Sequence, residues 1–170
     1  MVKPPLIIFD LDDCLLHYTK HYVAWVFTTK FTSIDTHNTT TWYAPEFIYE
    51  FNHSDYFTQR DKLPLYQTFR GLHLATKNLA VLTACGRGLE SAVAKALGIS
   101  HEFILCVGSS HDKYEVLSEV RGMYDILMVD DKQDTIEWCE RAKIPSILAN
   151  QDIDKVNEVI YNHIGENHGK

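Results

Sequence analysis

Five short apolar runs recur along the chain, at residues 6–11, 79–83, 103–107, 125–129 and 145–149. Continuous apolar runs of this length are typical of strands that are buried on both faces of a sheet. Segments with apolar residues at helical spacing lie between and after them, around residues 65–72, 89–97, 114–120, 136–139 and 153–160. This alternation predicts an α/β fold, a Rossmann-like three-layer sandwich with a five-stranded parallel sheet.

The composition is that of an ordinary globular domain. The chain has 170 residues, of which 45% are apolar, and this predicts a single domain over residues 1–170. Its 16 basic and 23 acidic residues give a formal charge of -7, so we expect neither duplex nucleic acid nor a membrane as a partner. The four cysteines form no Cys-x-x-Cys pair, which favours a reducing compartment. We therefore expect a cytoplasmic protein.

Residues 18–60, inserted after the first predicted strand, differ in character from the rest. Residues 18–57 hold 12 of the 20 aromatic residues of the chain, and seven threonines fall between positions 28 and 41. Both residue types favour extended structure, which predicts a hairpin or flap, with a helical turn around residues 44–51. Two interpretations remain open: the aromatics pack an irregular insertion, or the insertion is a lid or minimal cap over a binding site.

Polar side chains follow several of the predicted strands. Asp10 and Asp12 end the first run, Thr83 ends the second, Asp130 ends the fourth, and Lys113 lies at the start of the third predicted helix. In open α/β sheets, ligands bind beyond the carboxyl ends of the strands, where these residues would meet. A single Asp after a strand is usually a turn former or helix cap, but an ordered set of this kind predicts a functional site.

The acidic residues of this set require a counter-charge if they meet. Two carboxylates about 4 Å apart repel each other by roughly 4 kcal/mol at an effective dielectric constant near 20. A divalent cation between Asp10, Asp12 and Asp130 would remove this conflict. Oxygen ligands without His or Cys are those that Mg²⁺ prefers, and Mg²⁺ commonly acts on phosphates.

The segment at residues 7–15, with the sequence IIFDLDDCL, resembles the first signature of the haloacid dehalogenase (HAD) phosphohydrolase superfamily. That signature is an apolar strand followed by Asp-x-Asp-x-Thr/Val. The later signatures are similar and stand in the same order: AVLT at residues 80–83, Lys113, and ILMVDD at residues 126–131 followed by Asp134. The resemblance covers nearly the whole chain except the insertion. It implies a compact magnesium-dependent phosphatase with little or no cap.

The resemblance also implies a role for each matched residue. Asp10 would be the nucleophile that accepts the phosphoryl group, and Asp12 would be the acid and base. Thr83 would donate a hydrogen bond to a phosphate oxygen, and Lys113 would hold the nucleophile and the transferring group. Mg²⁺ would be bound by Asp10, the backbone carbonyl of Asp12, and Asp130.

Other residues near these motifs are secondary candidates. Asp131 and Asp134 would orient metal-bound waters or Lys113, and Arg87 would contact a second anionic group of the substrate or remain in solvent. Cys14 and Asp13 depart from the family pattern, which has Thr or Val and often Gly there. We expect Cys14 to have a packing role.

The predicted function is hydrolysis of a phosphate monoester through an aspartyl phosphate. The substrate stays open among a phosphoprotein, a sugar phosphate and a nucleotide end, and weaker similarities to carboxyl-terminal-domain phosphatases and polynucleotide end-healing phosphatases do not rank these. The alternative is a non-catalytic phosphate-binding regulatory module on the same fold. A dehalogenase would not need the acidic cluster. A receiver domain would carry its acceptor Asp on the third strand, where this chain has Cys106-Val107-Gly108.

Overall fold

The computed structural model describes residues 1–75 and 78–168, which form an α/β fold around one parallel sheet. Its five strands are β1 (Pro5–Phe9), β2 (Leu79–Thr83), β3 (Ile104–Cys106), β4 (Asp125–Asp130) and β5 (Ser146–Leu148). Their order across the sheet is β3-β2-β1-β4-β5, and every neighbouring pair is parallel. The predicted five-stranded parallel sheet is confirmed, with strand ends that shift by one or two residues.

Eight α-helices connect and flank the strands in the described part of the chain. They are α1 (Thr19–Thr29), α2 (Pro45–Asn52), α3 (Asp55–Thr58), α4 (Leu65–Ala75), α5 (Glu90–Leu97), α6 (Ser110–Val120), α7 (Gln133–Arg141) and α8 (Ile153–His168). The predicted helices after residue 64 correspond to α4 to α8. None of the helices in residues 1–75 and 78–168 combines the length and the apolar character needed to cross a membrane.

Successive side chains of a strand point to opposite faces of the sheet, and both faces are buried. Ile7 and Phe9 of β1 belong to one hydrophobic cluster, which includes side chains of α4, α5 and α8. Ile8, between them, belongs to a second cluster with Leu117 of α6 and Cys139 of α7. Helices thus cover both faces, which is the predicted three-layer arrangement.

The insertion is helical, and the prediction of an extended hairpin there is wrong. Residues 18–60 contain α1, α2, α3 and two short 3₁₀ turns, at Phe31–Ser33 and Thr39–Tyr43. Tyr22, Trp25 and Val26 lie on one buried face of α1 at helical spacing, and this burial outweighs the β propensity of the threonines. The helix expected around residues 44–51 is confirmed as α2.

A tight turn at residues 11–16 joins β1 to the insertion. The N–H groups of Cys14 and Leu15 donate to the carbonyl of Leu11 over 3.2 and 3.0 Å. Asp13 has a left-handed φ of 57°, and its Oδ1 accepts hydrogen bonds from the backbone N–H groups of Tyr18 (2.8 Å) and Thr19 (3.2 Å). Asp13 therefore caps the start of α1, which accounts for an Asp at a position where the similar family often has Gly.

We expect Asp13→Ala to lower the free energy of unfolding by about 2 kcal/mol. Loss of the cap costs about 1 kcal/mol, and a Cβ-bearing residue without a local polar partner costs roughly 1 kcal/mol more at positive φ. Asp13→Asn keeps an acceptor and tolerates this φ, so it should lose less than half as much. Urea denaturation in a metal-free buffer measures both, and equal losses in the two variants would contradict the capping role.

Candidate active site

The topology brings the ends of β1 and β4 together. β1 lies at the centre of the sheet, with β2 on one side and β4 on the other, so the chain reverses its direction of winding at this point. Asp10 directly follows β1, and Asp130 is the last residue of β4. The N–H of Asp10 donates to the carbonyl of Val129 over 2.9 Å, which fixes the two strand ends side by side. A switch point of this kind is where α/β sheets bind ligands.

Lys113 connects the two carboxylates. Its Nζ lies 2.9 Å from Oδ1 of Asp10 and 2.7 Å from Oδ2 of Asp130, and all three residues are buried. Burial alone would lower the pKa of Lys113, but the two carboxylates outweigh it and raise that pKa. The lysine is therefore a fixed positive charge, and α6 carries it.

A third carboxylate, that of Asp131, completes an acidic cluster. One oxygen each from Asp10, Asp130 and Asp131 lies within 4.8 Å of the others. Burial raises the pKa of Asp10 well above its usual value and raises that of Asp131 to about 6. Among the described residues, nothing donates a hydrogen bond to the buried Oδ1 of Asp131. One lysine does not balance three carboxylates, so this donor set fits a metal ion.

Asp12 does not share this cluster through its side chain. Its Oδ1 accepts a hydrogen bond of 2.7 Å from Nη1 of Arg60, at the end of the insertion. Burial raises the pKa of Asp12, and Arg60 opposes the increase. Of the three residues predicted to bind metal, the structure therefore brings together the carboxylates of Asp10 and Asp130, while the resemblance assigned only the backbone carbonyl of Asp12.

Arg60 is the functional candidate that the sequence analysis missed. Its side chain is fully buried, its Nε donates to the carbonyl of Phe57 over 2.9 Å, and its guanidinium lies 4.2 Å from the Phe57 ring centre and 5.2 Å from that of Tyr18. No local pattern marks this residue. The available signal was its position in the sequence, since it is the last residue of an aromatic-rich insertion that begins shortly after Asp12.

The remaining predicted residues are Thr83, Asp134 and Arg87, and they differ in burial. Thr83 is buried at the end of β2, paired in register with Cys106. Asp134 is exposed in the first turn of α7. The side chain of Arg87 is 80% exposed and lies 3.7 Å from Asp112, so it is available to solvent.

Cys14 and Asn52 are buried near the loops that follow the strands. Cys14 is buried with its Sγ 3.7 Å from the carbonyl of Val129, in keeping with the expected packing role. Asn52 of α2 is buried, donates to the carbonyl of Cys85 over 2.9 Å, and accepts a hydrogen bond from the Tyr18 hydroxyl over 2.9 Å. The insertion is thus tied by hydrogen bonds to the loop after β2.

No family model matches the chain, and no curated protein matches it. Solved structures do share its fold. The HAD-like hydrolase SP0104 from Streptococcus pneumoniae is 12% identical with a TM-score of 0.58, over 86% of this chain and 84% of that one. The class C acid phosphatase from Bacillus anthracis is 17% identical with a TM-score of 0.53, over 86% of this chain and 66% of that one.

The DsGPDH structure of Dunaliella salina is also similar, at 15% identity and a TM-score of 0.53, over 83% of this chain. Our chain spans 30% of the length of DsGPDH and 66% of that of the acid phosphatase. At these identities the likeness concerns the fold alone. The chain shares the α/β fold of these HAD-like structures.

Proposed function

We propose that this protein is a magnesium-dependent phosphatase of the HAD type that hydrolyses a phosphate monoester through an aspartyl phosphate on Asp10. One observation carries the proposal: the buried Nζ of Lys113 binds Asp10 and Asp130 within a cluster of three carboxylates. Phosphoryl transfer requires mainly positioning and neutralisation of charge, and this arrangement supplies a fixed cation, a nucleophile and a metal-binding donor set.

Mg²⁺ would be held by the carboxylates of Asp10 and Asp130, with Asp131 beside them and the backbone carbonyl of Asp12 as a further ligand. When bound, it supplies the positive charge that offsets repulsion between the anionic nucleophile and the anionic phosphate. Asp10 and Asp130 also share Lys113, which holds both carboxylates in place.

In the first step, a carboxylate oxygen of Asp10 forms a bond to phosphorus as the bond between phosphorus and the ester oxygen breaks. The departing ester oxygen takes a proton from Asp12. Lys113 contacts Oδ1 of Asp10, which leaves Oδ2 for attack. The buried hydroxyl of Thr83, at the end of the neighbouring strand, would donate to a phosphate oxygen.

In the second step, Asp12 takes a proton from a water molecule, the water oxygen bonds to phosphorus, and the bond from Asp10 to phosphorus breaks. Inorganic phosphate leaves, and both carboxyl groups regain their starting states. Arg60 contacts only Oδ1 of Asp12 among its two carboxylate oxygens, so Oδ2 is available for both proton transfers.

We propose that the leaving group of the substrate contacts an apolar groove that Asp13, the residue after Asp12, helps to line. An open groove of about 900 Å³ begins at Asp13 and His17 and continues along α1, with Val23, Phe27 and Trp42 among its lining residues. An apolar groove that starts one residue from the proposed acid supports esters with an apolar or aromatic leaving group, such as a tyrosine phosphate in a peptide.

The function is tested by release of inorganic phosphate from phosphorylated metabolites, phosphopeptides and oligonucleotide ends, each with and without Mg²⁺. We expect turnover of at least one class, and loss of that turnover with EDTA. A 2-haloacid in the same panel tests for dehalogenation. Retained phosphate binding without any turnover would favour the non-catalytic module instead.

Mg²⁺ should stabilise the fold because it binds the folded protein and relieves repulsion in the acidic cluster. At 100 times its dissociation constant, a ligand adds about 2.7 kcal/mol, which corresponds to roughly 5–10 °C in Tm for a chain of this size. Thermal denaturation with increasing Mg²⁺ measures the shift. Asp131→Asn should reduce it and Asp130→Asn should remove it, whereas the exposed control Glu102→Gln should retain it.

A further inference from the structure

We infer that Arg60 is the positioning residue for Asp12, so that the insertion completes the catalytic site. This inference rests on the proposed function. The contact joins residues 48 positions apart: Nη1 of Arg60 donates to Oδ1 of Asp12 over 2.7 Å. Arg60 acts on the reaction through Asp12. Among the described residues, its hydrogen bonds go to Asp12 and to the carbonyls of Phe57 and His17, and none goes to the acidic cluster.

Asp12 needs an external constraint. It lies in the turn after β1, and its side chain is 26% exposed, so packing constrains it less than it constrains the fully buried Asp130. A hydrogen bond from a fixed donor removes this freedom. Proton transfer depends on distances of about 3 Å, so a carboxyl that changes rotamer loses most of its effect.

Arg60 is suited to be that fixed donor. Its side chain is fully buried, and the guanidinium is held by the Phe57 carbonyl and lies against the rings of Phe57 and Tyr18. A buried, planar guanidinium of this kind loses little entropy when it forms a further hydrogen bond. By contrast, ion pairs between exposed side chains hold neither partner firmly.

The other hydrogen bonds of Arg60 go to backbone carbonyls: Nε donates to that of Phe57, and Nη1 also donates to that of His17 over 3.4 Å. Within the described residues, the buried Nη2 of Arg60 has no hydrogen-bond partner. The shortest of its hydrogen bonds goes to the proposed acid.

The test compares two aryl phosphates in Arg60→Met. Phenyl phosphate has a poor leaving group that needs a proton from Asp12, whereas 4-nitrophenyl phosphate has a good leaving group that does not. We expect the rate of enzyme phosphorylation to fall about 30- to 100-fold for phenyl phosphate and less than about threefold for 4-nitrophenyl phosphate. Hydrolysis of the aspartyl phosphate uses Asp12 as the base for both substrates. Its rate should therefore fall about 30- to 100-fold whichever substrate formed the intermediate. Rapid-quench kinetics separates the two steps.

Three variants serve as references. Asp12→Asn should show the same leaving-group pattern, and Arg60→Met added to it should cause no further loss, because Arg60 acts through Asp12. Arg60→Lys keeps a cation and should recover part of the phenyl phosphate rate. Lys30→Met is the matched control: Lys30 belongs to the same insertion, pairs with Glu50 over 2.6 Å and lies near Trp25, but makes no contact with Asp12.

The possible outcomes distinguish failure of this inference from failure of the proposed function. Equal losses in the rate of enzyme phosphorylation on both substrates, or additive losses in the double variant, would overturn the inference and leave Arg60 a structural residue. If Arg60→Met does not fold, the same comparison is made in Arg60→Lys, where a uniform loss would overturn it. A wild-type protein that releases phosphate from neither aryl ester and from no class in the phosphate panel, or an Asp10→Asn variant with full activity, would instead overturn the proposed function.

Discussion

Asp10→Asn is expected to lower turnover of a generic aryl phosphate by at least about a thousandfold, the scale on which enzymes lose activity when a nucleophile is removed. The amide lacks the negative charge that attacks phosphorus. It also replaces one of the two carboxylates that Lys113 contacts, so the nucleophile and its positioning are lost together. Initial rates of phosphate release under saturating Mg²⁺ give the measurement.

The fold should survive this substitution. The pKa of Asp10 is raised by burial, so a neutral side chain of the same shape is tolerated at this position without metal. Glu102→Gln is the control, because it also exchanges a carboxylate for an amide. Glu102 is exposed and lies just before β3, whereas Asp10 follows the carboxyl end of β1. Full activity of Asp10→Asn in a preparation free of contaminating phosphatase would remove the nucleophile assignment.

Lys113→Met is expected to lower the free energy of unfolding by about 3–5 kcal/mol at pH 7 in the absence of metal. The methionine fills a similar volume, so the loss arises from charge. Without Nζ, the buried carboxylates of Asp10 and Asp130 and the partly buried carboxylate of Asp131 repel one another with no cation between them. Loss of the cation should also abolish turnover, since Lys113 holds the nucleophile.

This destabilisation should depend on pH in one direction. Lys113 lowers the pKa of Asp10, so its removal raises that pKa further in the folded state while the unfolded value is unchanged. A carboxyl with a raised folded pKa binds more protons when folded, and its contribution to stability falls as pH rises through the interval between the two values. The difference between wild type and Lys113→Met should therefore be small near pH 4 and widen toward pH 7.

Urea denaturation at pH 4, 5, 6 and 7 measures this difference. Lys95→Met is the control, because Lys95 is exposed in the last turn of α5 and should show no such trend. Added Mg²⁺ should recover part of the stability of Lys113→Met at pH 7, because the ion neutralises the same carboxylates. A constant difference at all four pH values would mean that the lysine stabilises the fold by packing rather than by charge.

The sheet could be predicted because each strand carries its signal locally. β1, β2 and β4 are continuous apolar runs, and burial on both faces of a parallel sheet requires this. Asp10 and Asp130 were recognisable for the same reason, because they directly follow buried strands. The helices of the insertion differ from the predicted hairpin, since Thr and aromatic residues favour strands only where packing does not decide otherwise. In α1, Tyr22 and Trp25 at helical spacing carried the stronger signal.

Residue order and side-chain type by themselves determined the parallel sheet and the carboxylates at its carboxyl edge, because strand periodicity and strand ends are local properties of the chain. The tertiary structure alone decided that Lys113 bridges Asp10 and Asp130, that Asp131 joins them, and that Arg60 reaches Asp12 across 48 positions. Such contacts depend on how helices and the insertion pack against the sheet. That packing is set by the summed burial of many side chains, and no short segment of sequence records it.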